Sequence, residues 1–191
     1  MTAARVNEVE DLVIKAQHGD RNAFSELVHR HSQGVINVIY RLCGDSQLAE
    51  DAAQEAFIHA WLKLSTYQLH TSLRNWLYRI AINIAIDALR KEKHLASVEL
   101  SERMAAPEPT PEGMLTSRER AIWIQKAVLT LPPACRAVLV LREYEELSYQ
   151  EIASTLNIPI GTVMSRLNYA RNLLRANLKT QLFNYVEVEN V

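Results

Sequence analysis

Residues 147–167 read LSYQEIASTLNIPIGTVMSRL and predict two helices that meet at a tight corner. Ser148 and Glu151 have the spacing of a capping box, in which each side chain accepts a hydrogen bond from a backbone N–H at the start of a helix. Asn157 tolerates the left-handed backbone that ends a helix, and Pro159 suits the approach to the next one. The apolar residues between these signals can pack the inside of the corner.

The helix after this corner presents polar and basic side chains on its first turns. In a helix-turn-helix these turns of the second helix reach base edges in the major groove, where arginine can bridge a guanine and asparagine an adenine. Residues 157–180 carry four basic residues and no acidic one, which suits contact with phosphates. An ordinary helical hairpin with a solvated basic face is the alternative interpretation. The residues expected to contact DNA are Thr162, Ser165, Arg166, Asn168, Tyr169 and Arg171.

The remainder of the chain is also helical in pattern. Apolar residues recur at spacings of three and four, no segment alternates as a strand does, and the 191 residues contain only five glycines. No run of 18 apolar residues occurs, and residues 1–7 lack the apolar core of a signal peptide. These features predict an all-α protein in the cytoplasm, without direct insertion into a membrane.

A composition change in the middle of the chain marks a domain boundary. Three prolines and a glycine fall within residues 107–113, among acidic residues, and such a segment favours an extended linker. We therefore predict an N-terminal helical bundle over residues 1–95, a flexible linker over 96–117 and a C-terminal helix-turn-helix domain over 118–191.

The predicted helix between residues 46 and 64 has an acidic side that holds Glu50, Asp51, Gln54 and Glu55. Paired carboxylates can act as a catalytic acid and base, but no partner histidine and no glycine-rich phosphate loop accompanies them. A solvated face and a protein-docking face remain as alternatives.

A second long helix, from about residue 73 to residue 92, mixes aromatic with basic side chains. Residues 63–93 have a net charge of +4, whereas residues 1–55 have a net charge of −4. Aromatic rings among bases can stack unpaired nucleotides and hold phosphates; Tyr67, Trp76 and Tyr78 are the rings concerned. The alternative is that Trp76, at core spacing, belongs to the hydrophobic interior.

The sequence offers no pattern typical of an enzyme or a metal site. His29 and His31 are two residues apart and would point to different sides of a helix, and no P-loop, dinucleotide fingerprint or nucleophile elbow occurs. Cys43 and Cys135 lack a pairing motif and are expected to be small buried side chains. We predict a protein without catalytic residues, metal or cofactor.

Three blocks, in this order and spacing, resemble the extracytoplasmic-function (ECF) group of sigma-70-type factors. The first is AEDAAQEAFIHAW at residues 49–61. The second is WLYRIAIN at residues 76–83, followed by Asp87 and Arg90. The third runs from LPP at residues 131–133 through the helix-turn-helix to Ser165 and Arg166.

This resemblance implies a subunit that directs bacterial RNA polymerase to promoters. Asp51, Gln54 and Glu55 would dock on the clamp helices of the polymerase core, and the C-terminal domain would read the −35 element and rest on the flap. An anti-sigma factor, often membrane-anchored in this group, would hold the protein inactive. The residues expected at the −10 element are Trp76, Arg79, Asn83 and Arg90.

Two other functions are compatible with parts of the sequence. A helix-turn-helix regulator that binds DNA without polymerase needs neither the acidic helix nor the Trp76–Asn83 block, and a helical scaffold protein would lack salt-dependent DNA affinity. Met164 stands where many members of the group have arginine, and the loop of residues 67–73 lacks the glycine and acidic residues common there. Neither promoter sequence is therefore predicted.

Overall fold

The computed structural model describes the backbone of residues 3–69, 71–96 and 117–188, and the side chains of residues 8–69, 71–91 and 121–178. Over these ranges the secondary structure consists of helices without strands, which confirms the all-α prediction. A short 3₁₀ turn, Leu64–Thr66, follows the third helix. The predicted linker, apart from its ends, lies outside the described residues. The α-helices are α1 (Ala3–Gln17), α2 (Arg21–Cys43), α3 (Ser46–Lys63), α4 (Leu73–Ala96), α5 (Ser117–Leu129), α6 (Pro133–Glu143), α7 (Tyr149–Leu156) and α8 (Ile160–Val188).

Helices α1 to α4 form the N-terminal module, in which α2 packs against the other three helices. Asp20 caps α2 by accepting hydrogen bonds from the backbone N–H groups of Asn22 and Ala23, and Asp45 caps α3 in the same way through Leu48. These caps satisfy donors that a helix start leaves open. The largest side chains fully buried in this module are Val13, Val35, Val38, Ile39, Leu42 and Ile82.

The buried side of α3 consists largely of alanine, at positions 49, 52, 53, 56 and 60. Each of these alanines is at most 5% exposed. Small side chains let the α3 backbone lie close to α2 and α4, the two helices it contacts most, because little volume separates the helix axes. The opposite side of α3 is thereby held at a fixed position.

Gly34 lies within α2, which continues unbroken past it although glycine weakens a helix interior. A Cβ atom at this position would lie 3.0 Å from the hydroxyl oxygen of Tyr78 on α4. Glycine is therefore used here to admit the Tyr78 hydroxyl between the two helices, and the helix keeps its course because packing on α4 outweighs local propensity.

Helices α5 to α8 form the C-terminal module, and the corner between α7 and α8 is the predicted one. Ser148 Oγ accepts from the Glu151 N–H at 3.2 Å, and Glu151 Oε2 accepts from the Ser148 N–H at 2.8 Å. Asn157 ends α7 in the left-handed conformation, with φ of 53°. Ile152 and Val163 are fully buried on the two sides of the corner.

The two modules contact each other through α2 and α4 on one side and α5, α6 and α7 on the other. Arg136 of α6 is only 6% exposed and donates hydrogen bonds to the carbonyl oxygens of Leu42, Leu129 and Leu131. Burial lowers the pKa of this guanidinium, but it stays charged because the ordinary value lies far above neutrality.

Candidate functional surfaces

The outer side of α3 combines acidic and apolar side chains. Asp51, Gln54 and Glu55 are all exposed, on the side opposite the buried alanines. Ile58 and Leu62 lie on the same side, since residues 51, 55, 58 and 62 follow the helical repeat, and they are 60% and 71% exposed. We call these five residues the α3 face.

The contribution of Ile58 and Leu62 to this side of α3 was not predicted from the sequence. Large apolar side chains in solvent on a helix whose other side is fully buried are typical of a protein contact. The signal was present in the sequence, because neither residue fits the spacing of the alanine stripe. The acidic residues that precede Ile58 on the same side made the whole side look polar.

On α4, the four residues predicted for −10 recognition fall on one line of the helix. Trp76, Arg79, Asn83 and Arg90 are separated by three, four and seven residues, which is helical spacing. Arg79, Asn83 and Arg90 are exposed and Trp76 is half-buried. Arg90 is 3.1 Å from Asp87, an exposed pair that holds its arginine weakly. We call these four residues the α4 face.

Two of the three aromatic rings proposed for base stacking are buried instead. Tyr67 is 7% exposed and donates its hydroxyl hydrogen to the Thr71 carbonyl. Tyr78 is 3% exposed, and its hydroxyl lies 2.5 Å from Glu145 Oε2. Burial raises the pKa of both phenols, and the Glu145 contact raises that of Tyr78 further. Trp76, whose ring centroid is 5.2 Å from that of Tyr67, is the one ring of the three that remains accessible.

On α8, four of the six predicted DNA contacts share one side of the helix. Thr162, Ser165, Arg166 and Tyr169 follow the helical repeat, next to the buried stripe of Val163, Leu167 and Ala170. Ser165 and Tyr169 are exposed, and Thr162 and Arg166 are half-buried. These four residues are the α8 face, and exposed Asn168 lies at its edge.

Arg171 lies away from the α8 face. Its Nη2 donates to Glu143 Oε1 at 2.9 Å, and this contact raises the pKa of the guanidinium. The pair joins α8 to the end of α6. Arg171 is exposed on that side, so its assignment to −35 DNA stays a prediction that the α8 face does not support.

The described parts of the chain contain no group of three or more His, Cys, Asp or Glu side chains placed to hold a metal ion. Within the same parts, every helix falls short of the length or the apolar character needed to cross a bilayer. Cys135 is buried, and burial raises the pKa of its thiol, which keeps it protonated and poorly nucleophilic.

Comparison with known families matches both modules. The Sigma-70 region 2 family matches residues 27–95, which include the α3 and α4 faces, and the Sigma-70, region 4 family matches residues 121–174, which include the α8 face. The ECF RNA polymerase sigma factor SigW of Bacillus subtilis (strain 168) is 35% identical over 181 residues, covering 90% of this chain and 97% of that protein. The chain belongs to the ECF sigma factors. It is therefore a transcription initiation factor and not an enzyme.

Other ECF sigma factors share most of its length. The ECF RNA polymerase sigma-E factor of Escherichia coli (strain K12) is 32% identical over 178 residues, covering 85% of this chain and 90% of that protein. Among solved structures, the sigma factor RpoE in complex with the anti-sigma factor NepR from Bartonella quintana has a TM-score of 0.64 at 25% identity, covering 82% of this chain and 96% of that one. CnrH, solved with the cytosolic domain of CnrY, has the same TM-score at 24% identity and shares the fold.

Proposed function

We propose that this ECF sigma factor binds the polymerase core through the α3 face, contacts the −10 promoter element through the α4 face and contacts the −35 element through the α8 face. Asp51, Gln54 and Glu55 dock on the clamp helices of the core enzyme, and Ile58 and Leu62 extend that contact with apolar area. The C-terminal module rests on the flap.

The observation that carries this proposal is the alignment of Trp76, Arg79, Asn83 and Arg90 along one line of α4. An accessible indole can stack an unpaired base, and an amide on the same line can hydrogen-bond a base edge while the two guanidinium groups bind phosphates. The line extends about 21 Å along the helix, a length that suits several nucleotides of a single strand. The acidic α3 face repels DNA and is left for a protein partner.

Two weak DNA contacts give a high combined affinity when they belong to the same chain. The α4 and α8 faces sit on separate modules of one chain, so binding of one face raises the effective concentration of the other at its own element. Core polymerase fixes the distance between the α4 and α8 faces, because both modules are held on the core enzyme.

We further propose that the protein acts in the cytoplasm and is controlled by an anti-sigma factor, which is membrane-anchored in many such systems. Support comes from the RpoE structure, whose partner is an anti-sigma factor and whose chain matches this one over most of its length. Such a partner would compete with polymerase or promoter DNA for the surfaces named above.

Run-off transcription with purified bacterial core polymerase tests the proposal. Genomic fragments, including the region upstream of the protein's own gene, serve as templates with and without the protein. We expect a discrete transcript that depends on the protein, and its start site locates both promoter elements. Failure to form any transcript or to co-elute with core, with a folded protein free of inhibitor, would favour a helix-turn-helix regulator that acts alone.

The variant Asp51→Arg separates docking from folding. It reverses a charge on the α3 face, and we expect it to abolish co-elution with core while the helical content stays that of the parent. Asp11→Arg is the matched control, because it makes the same change at an exposed position on α1. Equal losses in the two variants, or loss of helical content in Asp51→Arg, would remove the support for a docking role.

A further inference from the structure

The end of α1 is tied to the chain segment that leads into α4. The side-chain nitrogen Nε2 of Gln17 lies 2.9 Å from the carbonyl oxygen of Leu64 and 3.0 Å from that of Tyr67. A glutamine amide carries two N–H groups, so this one nitrogen can donate a hydrogen bond to each carbonyl. Leu64 begins the 3₁₀ turn and Tyr67 follows its last residue. Gln17 therefore bridges the two ends of that turn.

Tyr67 is held through both its backbone and its side chain. Its carbonyl accepts from Gln17, and its backbone N–H donates to the Leu64 carbonyl at 3.1 Å. Its hydroxyl donates to the carbonyl of Thr71, closer to the start of α4. Because a residue of α1 fixes the backbone of Tyr67, the position of the Tyr67 ring depends on α1.

The ring of Tyr67 packs against Trp76, the accessible ring of the α4 face. The two ring centroids are 5.2 Å apart and the ring planes are inclined by 57°, a geometry that aromatic pairs favour. Trp76 is half-buried, and a fixed neighbouring ring reduces the orientations open to its indole. The path from α1 to the α4 face thus runs from Gln17 through Tyr67 to Trp76.

Helix α1 precedes residues 27–95, the part of the chain that the Sigma-70 region 2 family matches. It nevertheless packs on α2 and on the 3₁₀ turn. Burial raises the pKa of the Tyr67 phenol, and so does the charge of Glu10 on α1. The hydroxyl therefore keeps its proton at neutral pH and remains a donor to the Thr71 carbonyl. Two side chains of α1 thus favour the same state of Tyr67.

We propose that Gln17 is a positioning residue for the −10 contact: by fixing Tyr67, it holds the indole of Trp76 in the orientation that stacks an unpaired base. A stacking surface that is already ordered loses less conformational freedom when a base binds, which raises the affinity. The role of Trp76 at the −10 element rests on the proposed function. The dependence of the indole's orientation on Gln17 does not.

Fluorine NMR of the full-length protein, labelled with 5-fluorotryptophan, tests the positioning without DNA or polymerase. Gln17→Met removes both donors and nearly keeps the side-chain volume, whereas Gln17→Lys keeps a donor of similar reach. Gln33→Met is the matched control, because Gln33 is exposed on α2 and bonds Asn37 in the same helix. The readout is the Trp76 resonance, assigned by its absence in Trp76→Phe, and Trp123 of α5 is the internal reference.

We expect the Trp76 resonance to shift and broaden in Gln17→Met, because the indole then samples several orientations. It should stay at the parental position in Gln17→Lys and in Gln33→Met. The Trp123 resonance and the helical content from circular dichroism should be the same in all variants. A parental Trp76 resonance in Gln17→Met would overturn the proposal, and so would an equal displacement in Gln33→Met.

Binding of a dye-labelled random single-stranded oligonucleotide, followed by fluorescence anisotropy, measures the consequence for DNA. We expect Gln17→Met to weaken binding by about fivefold, the effect of losing hydrogen bonds that order a contact, and Trp76→Ala to weaken it at least as much. The double variant should bind as weakly as Trp76→Ala alone, since Gln17 acts through Trp76. Co-elution with core polymerase should match the parent, because the α3 face is unchanged.

The double variant also separates the two ways in which this idea can fail. Weaker binding by the double variant than by Trp76→Ala would mean that Gln17 affects DNA by another route, which contradicts the positioning role. If Trp76→Ala binds the oligonucleotide as tightly as the parent while the Trp76 resonance still depends on Gln17, the positioning of the indole stands and the proposed −10 contact fails.

Discussion

Arg136 donates a hydrogen bond to the main-chain carbonyl of Leu42, a residue 94 positions earlier in the chain. Leu42 lies in the last turn of α2, where carbonyl groups lack partners within the helix and carry partial negative charge. The same guanidinium binds the carbonyls of Leu129 and Leu131 at the end of α5. One buried cation therefore satisfies the ends of two helices that belong to different modules.

Arg136→Ala should lower the free energy of unfolding by about 2–4 kcal/mol, because carbonyl groups that Arg136 satisfies lose their donor in a buried site. Urea unfolding followed by circular dichroism measures the change. Arg175→Ala is the control, since Arg175 is exposed and its hydrogen bond to a described residue is to Asn172 in its own helix, and it should cost less than about 0.5 kcal/mol. Similar losses in the two variants would contradict the role given to Arg136.

Ile58→Ser and Leu62→Ser should each weaken binding to core polymerase by about tenfold, the effect of deleting one well-packed apolar contact from an interface. Because both side chains are exposed in the free protein, thermal stability should change little. Fluorescence anisotropy of the labelled sigma factor, titrated with core, measures the affinity. Ile14→Ser changes an exposed isoleucine on α1, and a loss of affinity there as large as at Ile58 would argue against a localised contact.

Glu146→Gly should stabilise the protein by about 1 kcal/mol. Glu146 precedes the α7 cap with φ of 56°, a left-handed conformation that costs most residues 1–2 kcal/mol and costs glycine little. The lower chain entropy of glutamate in the unfolded state offsets part of this gain. Asn157→Gly, at φ of 53°, should change stability less, because asparagine already tolerates this region; a larger gain there would contradict the strain argument. Urea unfolding of both variants makes the comparison.

His31 should make the fold sensitive to mild acid. It is half-buried on α2, and burial, followed by the charges of Arg74 and Arg30, lowers its pKa below 6.5. The unfolded chain then binds the proton more tightly, so stability falls as the pH drops below 6.5, by at most about 1.4 kcal/mol per pH unit, until the folded pKa is passed. Urea midpoints between about pH 7.5 and about pH 5.5 measure this slope.

His31→Gln should have a shallower slope than the parent over the same range, because it cannot take up the proton. His29→Gln provides the comparison, since His29 is exposed on the same helix, and its slope should stay that of the parent. A parental slope in His31→Gln would assign the acid sensitivity to other groups.

Local signals explain why the corner and the exposed faces could be predicted. The capping box at Ser148, the left-handed Asn157 and the spacing of Trp76, Arg79 and Asn83 are set within a few residues of chain, and the structure places each as the spacing indicates. Their assigned roles in binding stay predictions. The resemblance of three sequence blocks to the ECF sigma factors predicted, in addition, the order of these features along the chain.

The burial of Tyr78 and the contacts between distant residues could not be predicted, because they depend on partners far away in the sequence. Nothing near Tyr78 in the sequence reveals that Gly34 makes room for its hydroxyl or that Glu145, 67 residues later, accepts its hydrogen. The local sequence therefore predicts an accessible Tyr78 ring, whereas the structure buries it. The contact between Arg171 and Glu143, 28 residues apart, is equally absent from any local pattern, and a role of Arg171 at the −35 element stays a prediction.

Because the buried side of α3 consists largely of alanines, substitutions on its two sides have different consequences during evolution. Residues such as Asp51 or Leu62 can be exchanged without disturbing the interior, so partner preference can drift one side chain at a time. Enlarging Ala53 or Ala56 would lift the whole helix off its neighbours and move every contact at once. The binding preference of the α3 face can therefore change during evolution while the position of α3 in the protein stays the same.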